Sequence, residues 1–257
     1  MVARVLDDDV WTRRQEDIWD EAAARGYDTP GTGMFAPEVL GPTVDRLVEL
    51  AAGGRALELA IGTGRVAVPL HERGVPVAGI ELSWPMIAEL RAKVGADAIP
   101  VAQGDMATTR VDGEFSLAYL VFNTISNLQT QDEQVECFRN VARHLSPHGR
   151  FVVELGVPDL RTLPVGRTAT VFGIEPGYLG VDVFDVAAQR MVSVHVRYDE
   201  RRGDARATRG PFRYVWPAEL DLMARLAGME LEHRWADWAG APFNHESTAH
   251  VSVYRKA

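Results

Sequence analysis

Five short apolar runs recur between residues 55 and 155, most of them followed by a helical pattern or turn residues. This alternation restricts that stretch to a parallel sheet covered by helices on both faces. The runs are 55–61 (RALELAI), 75–82 (VPVAGIEL), 99–103, 115–122 (FSLAYLVF) and 151–155. Ser83 is placed to cap a helix beginning at Trp84, with Pro85 in its first turn. A helix over 131–145 carries Val135, Phe138, Val141, Ala142 and Leu145 and stops at Ser146-Pro147-His148-Gly149.

From about 168 to 216 the period becomes two. Val192, Val194, Val196 and Tyr198 alternate with Ser193, His195 and Arg197, and Phe212, Tyr214 and Trp216 alternate with Arg213 and Val215. This reads as antiparallel ribbons, with the tip at Arg201-Arg202-Gly203-Asp204. A helix then returns with Leu220, Met223, Ala224 and Ala227, and strands at about 230–238 and 249–255 finish the chain. Upstream, Trp11, Ile18, Trp19 and Ala22 stand at helical spacing behind Asp7-Asp8-Asp9, whose charge suits a helix N-terminus. A second helix carries Leu40, Val44, Leu47, Val48 and Ala51 before Gly53-Gly54. The expected division is an N-terminal helical lid (1–54), a ligand-binding core (55–164), a β-rich cap (165–215) and a C-terminal helix and strands completing the sheet (216–257).

Charge and cysteine content narrow the partners. A net charge of −9 and a pI near 5.3 argue against a nucleic-acid binder, which needs a basic stripe. Without a long apolar run or a signal-like start, and with Cys137 the single cysteine, the sequence is expected to be cytoplasmic and off the membrane. His195, on the polar side of a ribbon, reads as a surface residue.

The most informative segment is Glu58-Leu59-Ala60-Ile61-Gly62-Thr63-Gly64. Glycines after a strand let a ligand approach the backbone, and the next helix offers unpaired N–H groups. Glu81, ending the second strand, stands where an acid accepts from ribose hydroxyls. Gly62, Gly64 and Ala67 also satisfy a dinucleotide pattern, G-x-G-x-x-A. Against that reading, Glu58 is awkward beside a pyrophosphate but suits a ligand with an amino group and a sulfonium. Gln103-Gly104-Asp105-Met106 can bind an adenine edge and cover its face. No tyrosine has a lysine four residues later, so short-chain dehydrogenase chemistry is missing.

Residues 55–155 resemble the class I S-adenosylmethionine (SAM)-dependent methyltransferases. ELAIGTG is similar to the first motif of that family, with Ala60 in place of its first glycine; GIELS is similar to the second and GDM to the third. LVFNTISNL resembles the segment lining the transfer site, and RYVWPAELDLMARLAGMELEHRW with SVYRK resembles the end of small actinobacterial natural-product methyltransferases. The resemblance implies an α/β fold, a seven-stranded Rossmann-like sheet in the order 3-2-1-4-5-7-6 with the seventh strand antiparallel and an inserted antiparallel β cap.

It further implies SAM as cofactor. Glu58, Ala60, Gly62, Thr63 and Gly64 would meet its methionine end and Glu81 its ribose. Leu82, Met86, Gly104, Asp105 and Met106 would surround the adenine, and Phe122 would complete the site. Trp19, Tyr27, Asn127 and Trp216 are expected to contact a small-molecule acceptor. Asn123 and His245 are expected at the reacting groups, His245 as orienter or base. Phe122-Asn123-Thr124 replaces the carboxylate cluster of metal-dependent catechol methylation, so no metal is expected. The function implied is methyl transfer to nitrogen, oxygen or carbon of a small metabolite. A silent SAM-binding accessory protein and an NAD-dependent oxidoreductase are the alternatives, and the apolar ribbon face offers a homodimer surface.

Overall fold

A computed structural model describes residues 8–199, 201 and 203–257. Asp7, part of the acidic triplet, and Arg202 at the ribbon tip lie outside the described residues. The core sheet contains β1 (Ala56–Leu59), β2 (Val77–Glu81), β3 (Val101–Gln103), β4 (Phe115–Leu120), β5 (Leu145–Gly156), β10 (Met229–Trp235) and β11 (Ala249–Lys256). The spatial order is β10-β11-β5-β4-β1-β2-β3, with β11 antiparallel to both β5 and β10. Reversed and renumbered within this sheet, that is 3-2-1-4-5-7-6.

Strand alternation sorts the core into two layers. Leu57, Leu59, Ala118 and Leu120 face α6 (Gln131–His144) and α7 (Pro217–Leu226), packing on Phe138, Val141, Leu220 and Met223. Ala56, Leu117, Tyr119 and Val253 face the other way, onto Leu47 of α3 (Pro37–Ala51) and Leu70 of α4 (Ala67–Glu72). Local signals set the helix starts. The Ser83 hydroxyl accepts from Met86 N–H to open α5 (Trp84–Arg91), and Thr130 with Glu133 forms a full capping box on α6.

The insertion is a separate antiparallel sheet in the order β6 (Ala169–Glu175), β7 (Tyr178–Asp185), β8 (Arg190–Asp199), β9 (Asp204–Arg213). Its last strand ends at Arg213. Arg213 itself anchors it. The residue is 5% exposed, and its guanidinium donates to Gln134 Oε1 (2.5 Å) and Glu219 Oε1 (2.6 Å), joining cap, α6 and α7.

Two expectations change. The single helix expected over Trp11 to Ala22 is instead a 3-10 turn (Asp8–Thr12) followed by α1 (Gln15–Ile18) and α2 (Glu21–Arg25). Arg14 and Asp20 are extended, and the tertiary bonds of Arg13 and Gln15 to the β9 carbonyls of Arg209 and Pro211 outweigh helical continuity. The fifth strand also begins earlier than residue 151, directly at the end of α6, with a register irregularity opposite Phe115–Leu117. Among the described residues, no helix is long and apolar enough to cross a membrane.

Candidate functional site

The carboxyl ends of β1, β2 and β3 open on one cavity of about 440 Å³, within the size range of small-molecule sites. The β1 turn forms its floor. Ala60 is left-handed (φ 50°), as are Gly62 (φ 57°) and Gly64 (φ 82°). A Cβ on Gly64 would lie 2.3 Å from Leu90 Cδ1, so glycine is what lets α5 close against the turn. Ala60 holds a conformation that costs a non-glycine residue about 1 kcal/mol.

Glu81 reaches the same space from β2. Its carboxylate accepts from Gly62 N–H and Ser83 N–H, each at 2.8 Å, which ties the first two strand ends together. Burial raises its pKa, against the pull of those N–H groups. A carboxylate has about four acceptor positions, so these two bonds leave room for ligand hydroxyls. From β3, Gly104, Asp105 and Met106 line the cavity with Leu82 and Met86. Asp105 Oδ1 accepts from Ala107 N–H at 2.7 Å, which fixes the side chain.

The cover comes from the N-terminus. Trp19 and Tyr27 line the cavity edge to face, 5.8 Å apart. Trp19 Nε1 donates to Asn127 Oδ1 (3.2 Å), and Ser83 Oγ donates to the Trp19 carbonyl (2.6 Å). Gln129 Nε2 donates to the Arg13 carbonyl (2.8 Å), joining the cover to the wall after β4.

Several expected residues stand elsewhere. Glu58 does not line the cavity. It is 3% exposed, opposite Tyr119, whose hydroxyl donates to its Oε2 at 2.9 Å. Burial raises its pKa to about 8, outweighing the Tyr119 bond, so the carboxyl is largely protonated at neutral pH. Thr63 is also buried. Its hydroxyl donates to Asp28 Oδ1 (2.6 Å), and Lys93, paired with Asp28, donates to its carbonyl. Gly64 shapes the turn without lining the space. Phe122 is 47% exposed, with Arg65 Cζ 5.7 Å from its ring. Asn123 is left-handed (φ 62°), and its Oδ1 accepts from Gly156 N–H at 2.6 Å, bracing the ends of β4 and β5.

Trp216 and His245 meet in a second cavity of about 490 Å³, with Val157, Pro158, Arg161 and Phe243. It opens beyond the end of β5, where Val157 and Pro158 follow Gly156. The His245 side chain is exposed, and its carbonyl accepts from Arg161 Nη1 at 2.9 Å.

The cavity wall also includes residues not anticipated from sequence. Thr12, Arg13, Arg14 and Glu16 come from the cover, and Thr124, Leu128 and Glu133 from the segment entering α6. Only the Thr130-x-x-Glu133 box had a sequence signal. Of the lining carboxylates, Glu16 is paired with Arg14 and Glu133 closes the α6 cap, so Glu81 and Asp105, with the rings of Trp19 and Tyr27, are the groups free to meet a ligand with ribose and adenine parts. The described lining includes neither histidine nor lysine.

Comparison with known proteins points the same way. Residues 56–149 match a family model described as a methyltransferase domain. The chain is 27% identical to the cypemycin N-terminal methyltransferase of a Streptomyces species, across 93% of this chain and 98% of that protein. It is 30% identical to the dTDP-4-amino-2,3,4,6-tetradeoxy-D-glucose N,N-dimethyltransferase of Saccharopolyspora spinosa, across 56% of this chain and 55% of that one. Among solved structures, the CcbJ methyltransferase from Streptomyces caelestis is 38% identical, with a TM-score of 0.77 over 84% of this chain and 94% of that one.

Proposed function

Because the chain belongs to the class I SAM-dependent methyltransferases, we propose that it methylates an amine of a small natural product. The cavity at the ends of β1–β3 holds the cofactor in this reading. One observation carries the assignment: the β1 turn, Glu81 and Asp105 converge on one space under the aromatic cover.

SAM supplies an electrophilic methyl group together with its own leaving group. The protein's part is to bind, align and exclude water. Glu81 accepts from the ribose hydroxyls while Gly62 and Ser83 hold it in place. Asp105 takes the adenine edge between Leu82, Met86 and Met106. Ala60 and the Gly62 backbone lie along the methionine chain, and Glu58, Thr63 and Gly64 support that turn from behind. Trp19, Tyr27 and Asn127 close the acceptor side, with Phe122 and Asn123 at the turn after β4. Trp216 and His245 contact the acceptor from the second cavity.

An amine is favoured over a hydroxyl on chemical grounds. A neutral amine brings its own lone pair, whereas a hydroxyl needs a base, and the described cofactor cavity offers no histidine. Two of the relatives are named for methylation at nitrogen. The reading extends to setting and assembly. Exposed Val171, Ile174 and Leu179 give the cap an apolar surface for a second copy. The acidic chain is no nucleic-acid binder, and its buried thiol, Cys137, suits a reducing cytoplasm.

The test is a paired assay. Calorimetry should show S-adenosylhomocysteine binding without NAD binding. Tritiated SAM should then label primary or secondary amines in a metabolite panel. Label on hydroxyl compounds alone would overturn the amine assignment, and failure to bind S-adenosylhomocysteine would overturn the cofactor site.

A further inference from the structure

Polar side chains interrupt the buried face of α6. Gln134, Asn140 and His144 are each at most 1% exposed. Burying an amide or an imidazole is costly unless hydrogen-bond partners offset the loss of water. Gln134 belongs to the Arg213 anchor. Asn140 and His144 serve a different segment, the one after β3 that brings Gly104, Asp105 and Met106 to the cofactor cavity.

That segment is a tight turn fastened to its neighbours. Gly104 N–H donates to the Glu81 carbonyl at 2.8 Å, and the Asp105 carbonyl accepts from Thr108 N–H (3.1 Å) and Thr109 N–H (2.8 Å). A Cβ on Gly104 would lie 2.2 Å from Thr109 Oγ1, so the turn closes on itself only with glycine there. Among the described residues no backbone N–H meets the carbonyls of Met106 and Thr109. Asn140 Nδ2 donates to both, at 3.0 and 2.9 Å. Two acceptors on one side fix the amide with its nitrogen toward the turn. Its Oδ1 is buried and has no partner among the described residues, which lowers stability. A side chain suited to packing alone would carry no such orphan; the paired donors are what distinguishes asparagine here. One turn further along α6, His144 Nε2 accepts from Val111 N–H at 2.9 Å. A backbone N–H only donates, so Nε2 is unprotonated and Nδ1–H donates to the Asn140 carbonyl at 2.8 Å.

Asp105 rides on this support. Its Oδ1 is held by Ala107 N–H, which leaves Oδ2 for a ligand. Cys137 stands one turn before Asn140, and burial, then the Asp105 charge, pushes its thiol pKa up. The carboxylate is therefore close to the α6 face that carries Asn140. An adenine edge offers its 6-amino donor at one point, and a hydrogen bond weakens outside about 2.7–3.2 Å. A turn released from α6 carries Asp105 off that point.

We propose that Asn140 is a positioning residue for cofactor recognition: through Met106 and Thr109 it sets the reach of Asp105 to the adenine amino group. This rests on the methyltransferase reading above, with adenine at Asp105. The test compares two ligands on the full chain by calorimetry, S-adenosylhomocysteine and its analogue with hydrogen in place of the 6-amino group. Wild type should prefer the first by about thirtyfold, the scale of a hydrogen bond to a charged group. In Asn140→Leu that preference should shrink about tenfold, as the bond loses its geometry. Val141→Ala, a cavity in the same helix, should lower stability and keep the preference, because loss of folded protein weakens both ligands alike. If Asn140→Leu does not fold, Asn140→Ala carries the same comparison on a better helix former. An unchanged preference in the folded Asn140 variant, or an equal fall in Val141→Ala, would overturn the proposal. Wild type that binds neither ligand strikes the methyltransferase assignment, and this role with it. Wild type that binds both alike strikes the placing of adenine at Asp105. A wild-type preference that survives in the Asn140 variant strikes the positioning role alone.

Discussion

The cofactor edge and the cap are built by different means. At β1–β3 the wall is largely backbone: left-handed turn residues, strand ends in parallel register, and a carboxylate pinned by two N–H groups. At the cap, position depends on long side chains that bridge elements far apart in sequence, such as Arg213 to Gln134 and Glu219. A backbone wall survives most single substitutions. A side-chain latch fails with one residue.

The largest expected effect therefore lies at the latch. Arg213→Ala leaves partly buried Glu219 without its cation and should cost about 3 kcal/mol of stability, the low end of the scale for breaking a buried pair. Methyl transfer should fall steeply while any folded fraction still binds S-adenosylhomocysteine. Burial pushes the Glu219 carboxyl upward, but hydrogen bonds from Gln189, Arg213 and Gln131 outweigh it and hold the group below the usual carboxylate range. Its contribution is thus complete above the unfolded pKa and is lost as pH falls through the folded one. Denaturant titration should show the gap between wild type and Arg213→Ala narrowing in acid. A constant gap would mean that the latch acts through packing alone.

At the backbone wall, Glu81→Gln should weaken S-adenosylhomocysteine by about 2 kcal/mol, the scale of lost hydrogen bonds to a charged group. Stability should fall as well, by about 1–3 kcal/mol, because Gly62 N–H and Ser83 N–H each use a different carboxylate oxygen and the amide can accept only one of them. Affinity is therefore read on the folded fraction. Unchanged affinity in calorimetry would remove the ribose assignment and much of the contrast drawn here. The smallest effect is expected at His245, which the sequence offered as a base. With an exposed side chain in the second cavity and an acceptor nitrogen that carries its own lone pair, His245→Ala should lower kcat only about threefold or less, far below a typical general-base contribution. A hundredfold fall in kcat with an altered pH profile would restore the base and shift the chemistry toward a hydroxyl.

The same contrast explains what could be read from the sequence. Period, caps and glycines are local, so the parallel alternation, the capping of α5 and the antiparallel insertion followed from residues close together in the chain, whereas the strand order came from the family resemblance. Eight of the residues expected at the cofactor line one cavity, because strand ends and turns place them there: Ala60, Gly62, Glu81, Leu82, Met86, Gly104, Asp105 and Met106. Glu58 departs from that group because strand alternation turns it, with Tyr119, onto the α3–α4 layer. The cover was illegible for a different reason. Trp11, Ile18 and Trp19 have helical spacing, yet Arg13 and Gln15 gain partners on β9 that only the folded cap provides. The contacts of Asp28 with Thr63 and Lys93 likewise join segments with no shared pattern.

The cover has a kinetic consequence. Trp19 is fastened to Asn127 and Ser83, and the Arg13 carbonyl to Gln129, all around the mouth of the cofactor cavity. Each is a modest bond, worth about 1 kcal/mol net, but they must release together before the spent cofactor departs and a fresh one enters. On the proposed reading, the residence time of the product should follow the opening of residues 12–27, and turnover should slow with that gate as well as with the methyl transfer.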